Sequence, residues 1–226
     1  MSTIASFDPR AVAPLRVDGH LPPVPPERLT AHALRERFAQ PPQWTPEFVR
    51  ERPLAGRPAS PAAVLVPLVL REDHLSLLLT QRGSQLSHHS GQIAFPGGRQ
   101  DAADRDAVHT ALREAQEEVG LAPDHVEVLG TLPNYVTGSG FIITPVVALV
   151  RPGFDLQPNP HEVADVFEVP LPFLMNPAHH RHHEAVWAGE PRRFLSMPWT
   201  GPRAQERFIW GATAGMLRNL YRLLIT

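Results

Sequence analysis

The chain contains no cysteine among its 226 residues. This absence excludes disulfide bonds, thiolate nucleophiles and zinc sites built on thiolates. The chain also lacks an excess of charge of either sign, because 21 basic residues stand against 23 acidic ones and the formal net charge is -2. No basic field would attract nucleic acid or an anionic membrane, so we expect neither as a partner. We expect the substrate to be a small molecule.

A long apolar segment is also missing. No stretch reaches the roughly 18 uninterrupted apolar residues that a transmembrane helix needs, and the first residues do not join a basic segment to an apolar one. We therefore expect a soluble, cytoplasmic protein. With 42% hydrophobic residues, a chain of this length can bury one sizeable core.

Prolines, by contrast, are plentiful and crowd the first sixty residues. Several of them precede a short predicted helix over residues 27–39, and more follow it. We interpret residues 1–60 as a proline-rich extension with one short helix, and residues 61–226 as the functional domain. The sequence does not indicate what the extension does.

Regular secondary structure is predicted from residue 62 onward. Two apolar runs, 62–71 and 75–82, flank a polar turn and predict a β-hairpin. Apolar residues at spacings of three and four predict a helix over 104–119, which Gly120 ends. Further strands are predicted at 126–132, 142–150, 163–169 and 193–197, and a last amphipathic helix at 211–224. This order predicts an α+β fold with a sheet sandwiched between helices.

Three glutamates, Glu114, Glu117 and Glu118, lie at positions i, i+3 and i+4 of the first of these helices. The spacing places them on one face, opposite the apolar stripe. A solvated acidic surface is the ordinary interpretation, but Glu114 and Glu118 have no basic residue three or four positions away. Mutual repulsion and the negative end of the helix dipole both disfavour the cluster. A divalent cation would reverse both penalties, so the pattern favours a metal site.

The ligand type indicates which metal and which chemistry. Carboxylate oxygens select Mg²⁺ or Mn²⁺ over softer metals. Such an ion can activate a coordinated water, bridge diphosphate oxygens and offset the charge on a leaving phosphate. We therefore expect hydrolysis of a phosphate bond with Mg²⁺ or Mn²⁺ as the cofactor.

The residues around this helix resemble a known signature. Gly98, Asp104 and the run from Arg113 to Leu121 resemble the Nudix box, G-x5-E-x7-R-E-U-x-E-E-x-G-U, where U is aliphatic. Asp104 stands where the box has glutamate, and eight residues rather than seven separate it from Arg113. The resemblance implies a Nudix fold, which is a mixed sheet between helices, with the three glutamates as metal ligands. It also implies that Arg113 orients a neighbouring glutamate and that Gly97 and Gly98 form the loop approaching the metal.

Residues 77–98, LLLTQRGSQLSHHSGQIAFPGG, are similar to the motif of the coenzyme A pyrophosphatase branch of that family, L-L-T-x-R-S-x3-R-x3-G-x3-F-P-G-G. Gly83 and Ser87 replace a serine and an arginine of the motif, so a cation expected near the substrate phosphates is missing. The resemblance implies hydrolysis of coenzyme A to 3',5'-adenosine bisphosphate and 4'-phosphopantetheine. The matching positions are Leu78, Leu79, Thr80, Arg82, Gly91, Phe95, Pro96, Gly97 and Gly98.

Several residues outside the box are candidate functional groups. Arg82 fits a phosphate contact, Phe141 fits stacking on a base, and Glu162 fits the general base that Nudix enzymes often place on a loop. Each has an ordinary alternative: a surface charge for Arg82, a core aromatic for Phe141 and an exposed loop acid for Glu162. His88 and His89 are candidate substrate contacts within the motif before the box.

The cluster from His179 to His183 is a candidate zinc site, because imidazole is a common ligand. It follows Pro177 and falls between predicted strands, so we expect a polar turn there instead.

Two functional alternatives stay open beside coenzyme A hydrolysis. One is a Nudix pyrophosphatase for ADP-ribose, NADH or a dinucleoside polyphosphate, and the other is a non-catalytic nucleotide sensor on the same fold. The apolar C-terminal helix is a candidate contact for a homodimer.

Overall fold

The computed structural model describes residues 8–51, 59–83, 91–187, 190–202 and 204–226. The helices in these ranges are α1 (Ala31–Ala39), α2 (Ala107–Val119), α3 (Leu171–Leu174) and α4 (Gly211–Ile225). The strands are β1 (Arg16–Val17), β2 (Ser60–Leu70), β3 (Leu75–Arg82), β4 (Ile93–Ala94), β5 (Gly97–Arg99), β6 (Val126–Thr131), β7 (Tyr135–Val136), β8 (Phe141–Val150), β9 (Val163–Pro170), β10 (Arg181–Trp187), β11 (Glu190–Thr200) and β12 (Glu206–Trp210). In this part of the chain, no helix has the length and apolar character needed to cross a membrane.

The larger sheet is mixed and has β2 and β8 as its parallel centre, in the order β4-β3-β2-β8-β6. Strands β5, β7 and β9 add to it beside β2, β8 and β3, respectively. The predicted hairpin is confirmed: β2 and β3 are antiparallel, and the Arg71 N–H donates to the His74 carbonyl at the turn. The predicted α+β fold is confirmed as well.

The two faces of this sheet carry separate cores. Odd-numbered residues of β2, such as Leu65, pack with the apolar stripe of α2, including Ala115. Even-numbered residues, such as Leu68, pack toward α4, including Leu217. Because successive strand residues point to opposite faces, one continuous apolar strand serves both cores. The α2 face holds the predicted site, and the α4 face supports it from behind.

The second sheet has the order β1-β10-β11-β12 and corrects two expectations. The predicted polar turn at the histidine cluster is wrong, because residues 181–187 form β10 and His180 and His183 are buried. The strand predicted at 193–197 is longer and runs from Glu190 to Thr200. Strands β1 and β12 had no clear signal in the sequence, and both find their place through pairing with other strands.

The described part of the N-terminal extension packs against the C-terminal helix. Leu34 of α1 is fully buried in the core that α4 also lines. The side-chain oxygen of Asn219 accepts hydrogen bonds from the Glu47 and Phe48 N–H groups at 2.8 and 3.0 Å. Since most of α4 is buried within this chain, it does not offer the exposed apolar face on which the homodimer expectation rested.

Candidate active site

Helix α2 begins and ends at clear caps. The Asp106 carboxylate accepts from the His109 N–H at 2.8 Å, so the helix starts at Ala107 rather than at residue 104. Gly120 ends it in the left-handed conformation, with φ of 73°. A side chain at Gly120 would also meet the backbone of Gln157. These caps fix the helix against the large sheet.

The three glutamates of α2 differ in exposure. The Glu118 side chain is 5% exposed, that of Glu114 is 15% exposed and that of Glu117 is 57% exposed. The helix thus presents a gradient from a buried carboxylate near the sheet to an exposed one at the surface.

The glycine pair of β5 lies directly against the two inner glutamates. The Gly97 N–H donates to a Glu118 carboxylate oxygen at 3.2 Å. A Cβ atom on Gly98 would lie 2.6 Å from both carboxylate oxygens of Glu114. A Cβ atom on Gly97 would lie 2.5 Å from the Ala63 carbonyl oxygen. Gly97 therefore requires glycine, because a Cβ atom there would collide with the backbone of β2. A side chain at Gly98 would instead displace the Glu114 carboxylate.

Arg113 organises the outer half of the site. Its guanidinium donates two hydrogen bonds to Asp104, at 3.0 and 2.9 Å. It also reaches one carboxylate oxygen each of Glu114 and Glu117, both at 2.9 Å. Arg113, which is adjacent to Glu114 in sequence, therefore gives two of the three glutamates a basic partner. This two-sided contact orients the carboxylates.

Asp104 is the fixed end of that arrangement. Its side chain is buried and accepts a further hydrogen bond from the Thr110 hydroxyl at 2.9 Å. The Arg113 guanidinium holds the pKa of Asp104 far below its usual value, with the Asp101 N–H and the Thr110 hydroxyl adding to the effect. Asp104 is therefore ionised and anchors Arg113 despite the extra residue between them.

The inner half of the site carries uncompensated negative charge. Burial raises the pKa of Glu118 to about 7, which the Gly97 N–H and Arg82 only partly oppose. The closest approach of Arg82 to Glu118 is 3.8 Å. Burial also raises the pKa of Glu114, against the effect of Arg113. These carboxylates lie where an added positive charge would be most stabilising.

Glu162 belongs to the same charged region. It is among the groups whose negative charge raises the pKa of both Glu114 and Glu118. The Asn159 side-chain amide donates to its carboxylate at 3.1 Å, and the Gly83 N–H donates to its carbonyl at 2.8 Å. The loop acid selected from the sequence is thus held near the glutamates of α2.

The fit of a metal ion can be judged from these donors. In the described ranges, no three acidic or histidine side chains are gathered as a ready-made metal-binding group. Arg113 contacts Glu114 and Glu117 at 2.9 Å, so an ion bound by these carboxylates would share them with the guanidinium. The donors are nevertheless hard oxygens with excess negative charge, which is what Mg²⁺ and Mn²⁺ prefer. In charge and chemistry they fit a divalent ion.

A model of the NUDIX domain matches residues 59–188, which is more than half of the chain. The chain belongs to the Nudix family. A curated relative from Citrobacter koseri, named Uncharacterized Nudix hydrolase NudL, is 42% identical over 159 residues, covering 70% of this chain and 80% of the relative. A second relative of that name, from Salmonella newport, is 39% identical over 194 residues, covering 85% and 94%. Nudix hydrolases generally use divalent ions such as Mg²⁺ or Mn²⁺.

Solved structures with a similar fold include other Nudix proteins. A C. elegans Ap4A hydrolase in a binary complex is 22% identical, with a TM-score of 0.43, over 53% of this chain and 86% of that one. The NUDIX domain of Shewanella oneidensis NrtR complexed with ADP ribose is 24% identical, with a TM-score of 0.40, over 51% and 75%.

The remaining candidates from the sequence lie in different surroundings. Phe141, at the start of β8, is half-buried, and the guanidinium carbon of Arg99 lies 5.7 Å from its ring centre. The Arg82 Nε is buried and has no hydrogen-bond partner in the described structure. His88 and His89, like Ser87, lie outside the described residues.

The histidine cluster forms structural contacts rather than a metal site. His180 contacts the Leu174 carbonyl and Arg218 at 2.8 and 3.0 Å. His183 contacts the Ser196 hydroxyl at 2.8 Å, and His182 contacts Asp18 at 2.7 Å. No zinc-binding group is found among the described side chains.

The sequence interpretation missed two residues that lie beside the candidate site. Asn159 positions Glu162, and the spacing N-x-x-E, which is typical of reciprocal capping, was the available signal. Arg99, next to Gly98, could have been noticed only once the strand pairing had placed Phe141 nearby.

Proposed function

We propose that this Nudix protein hydrolyses the diphosphate bond of coenzyme A or a coenzyme A derivative. The products are 3',5'-adenosine bisphosphate and 4'-phosphopantetheine. The observation that carries the catalytic part is Glu118, a buried carboxylate that accepts from the Gly97 N–H and lies close to Glu114 and Glu162. The substrate part rests on the coenzyme A motif between Leu78 and Gly98.

Glu114, Glu117 and Glu118 would hold the metal. Their graded exposure suits this role, since the buried Glu118 is fixed by the Gly97 N–H while the exposed Glu117 can turn toward an incoming ion. Arg113, anchored on Asp104, keeps the outer carboxylates near their working positions. When bound, a divalent ion lowers the pKa of a coordinated water and offsets charge on the diphosphate.

Glu162 is the proposed general base. It lies outside α2, on a loop that the Gly83 and Asn159 contacts fix. Its carboxylate lies close enough to the glutamates of α2 to act on their charge, and there it would accept a proton from the attacking water. Its proton would come from the attacking water and return to solvent after cleavage.

Four further residues would bind the substrate. Arg82 projects toward Glu118 from the end of β3, where a guanidinium can contact diphosphate oxygens. Gly97 and Gly98 lie against Glu118 and Glu114, where the backbone would meet a phosphate group held beside these carboxylates. Phe141 would stack on the adenine base.

The experiment that tests the proposal is a substrate panel. The full-length protein is incubated with Mg²⁺ or Mn²⁺ and coenzyme A, ADP-ribose, NADH or diadenosine tetraphosphate, and the phosphate-containing products are separated by chromatography. We expect coenzyme A to have the highest kcat/KM, and a chelator to abolish turnover until metal is restored. Preferred cleavage of ADP-ribose would overturn the substrate assignment, and no turnover of any compound would favour a nucleotide sensor.

A further inference from the structure

Arg99 lies at the end of β5, one residue after Gly98, and its side chain is exposed. Its guanidinium carbon is 5.7 Å from the centre of the half-buried Phe141 ring. A guanidinium at this distance is attracted to the ring face. A cation and an aromatic surface therefore stand together beside the glycine loop of the candidate active site.

The strand register places this pair on one face of the large sheet. Arg99 pairs with Ala62 of β2, and Phe141 pairs with Ser60 of the same strand. Residues two apart on a strand point to the same side, so both side chains share a face. That face is the one directed away from α2.

Gly98, the residue before Arg99, faces the opposite side of the sheet. It pairs with Ala63, the next residue of β2, and the side of its Cα that would carry a side chain faces Glu114. Within the described structure β5 pairs with β2 only, so the loop lies at a free edge of the sheet. A ligand crossing this edge would meet the glutamates on one side and Arg99 on the other.

Arg99 is also chemically available for an anion. In the part of the chain that the structure describes, it forms no ion pair with a carboxylate. By contrast, Arg113 is held by Asp104. Glu51, near the turn before β8, already accepts hydrogen bonds from the Tyr135 hydroxyl and the Gly138 N–H, at 3.1 and 2.8 Å. Arg99 therefore keeps its guanidinium donors free for a ligand.

We propose that Arg99, supported by Phe141, binds a phosphate on the ribose at the base end of the substrate. In coenzyme A this is the 3'-phosphate, which lies next to the adenine just as Arg99 lies next to the aromatic ring. Arg82, on the α2 side, remains available to the diphosphate. This role rests on the proposed function. It also adds a cation to the site of a chain in which Ser87 replaces the second arginine of the coenzyme A motif.

The test compares coenzyme A with 3'-dephospho-coenzyme A, which differ only in this phosphate. A guanidinium hydrogen bond to a charged group contributes about 1.5–3 kcal/mol, so Arg99→Gln should lower kcat/KM for coenzyme A by about tenfold or more. The same variant should change kcat/KM for the dephospho compound by less than about twofold. Arg99→Lys should lose less than Arg99→Gln, because it keeps the charge. Arg193→Gln, at an exposed arginine of the second sheet, is the matched control and should change neither.

A binding measurement separates this inference from the proposed function. Calorimetry with 3',5'-adenosine bisphosphate and with AMP should show that Arg99→Gln weakens only the former. Equal losses for both compounds in either assay, or no loss, would overturn the role of Arg99. If the wild type does not cleave coenzyme A but still binds the bisphosphate through Arg99, the proposed function fails while the phosphate site stands.

Discussion

Two regions of the molecule gather charged side chains in the interior, and they differ in balance. In the first, Glu114 and Glu118 lie together with Glu162, and burial raises the pKa of both α2 glutamates. In the second, the buried guanidinium of Arg218 contacts Asp18 at 3.1 Å and Glu47 at 2.7 Å. The first region has a surplus of negative charge, whereas in the second Arg218 and Arg16 match the charges of Asp18 and Glu47.

This difference in charge balance distinguishes the candidate binding site from a network that only stabilises the fold. Burial would raise the pKa of Asp18, but His182 and then Arg218 lower it, so the carboxylate stays charged and paired. A complete network of this kind stabilises one arrangement of the chain. Arg113 and Arg82 offset only part of the charge of the α2 glutamates and Glu162, so the proposed cation would supply the rest. Unbalanced buried charge therefore points to function more reliably than buried charge alone.

The largest effect is expected from removing charge in the unbalanced region. Glu117→Gln or Glu118→Gln should lower kcat by about 1,000-fold, a loss of about 4 kcal/mol of transition-state stabilisation, because the metal loses a charged ligand. The folded state should be retained, and Glu118→Gln should not lower the melting temperature, since it relieves a buried charge. Steady-state kinetics and thermal unfolding measure both. Near-normal turnover in these variants would refute the ligand assignment; Glu36→Gln, at an exposed helical glutamate, serves as the control.

The opposite pattern is expected in the balanced region. Arg218→Met should lower the free energy of unfolding by about 3–5 kcal/mol, because it leaves two carboxylates without their cation in the interior. The kcat of the protein that remains folded should stay close to that of the wild type. Chemical denaturation measures the loss, and Arg222→Met on the same helix is the control. A loss of catalysis without a loss of stability would contradict the structural role.

The same region predicts a pH dependence of stability. Burial lowers the pKa of His180 from its usual 6.5 to about 4, and Arg218 contributes in the same direction. The unfolded chain therefore binds this proton first as the pH falls, and the folded state loses up to about 3 kcal/mol between pH 6.5 and 4. Denaturation at a series of pH values should show this decline, and it should be shallower in His180→Gln. An unchanged slope in the variant would assign the decline to other groups.

The smallest effect is expected from Asp104, which contacts the proposed metal ligands only through Arg113. Asp104→Asn should lower kcat by about tenfold with little change in KM, because Arg113 loses its charged anchor and orients the glutamates less well. Asp101→Asn is a matched control, since Asp101 is exposed and 3.9 Å from Arg113. If both variants behaved alike, the positioning role of Asp104 would be wrong.

Local patterns predicted the centre of the fold well. The hairpin of β2 and β3 and the helix α2 follow from periodicity and end signals that lie within a few residues. The helix start was misplaced by three residues, because both Asp104 and Asp106 are acceptable caps and only the tertiary contact of Asp104 with Arg113 decides between them. The glutamate cluster of α2 could be recognised in the sequence because its three residues lie within five positions of one another.

Long-range pairing could not be predicted in the same way. Residues 179–183 are polar and suggested a turn, yet their partners lie far away in the sequence, as for His182 with Asp18 and His180 with Arg218. A polar residue satisfied by a distant partner has no local signature. For the same reason, the approach of Arg99 to Phe141 could not be predicted from the sequence.

The contacts between the N-terminal residues and the C-terminal helix also determine where the protein can be shortened. Arg28 donates hydrogen bonds to the carbonyl oxygens of Leu224 and Ile225, at 3.1 and 2.7 Å, and Leu34 fills the core beneath them. Cutting at residue 59, where the family match begins, would strip these partners from the final helix and open a cavity. We therefore expect a stable fragment to need residues on both sides of the range that the family model matches.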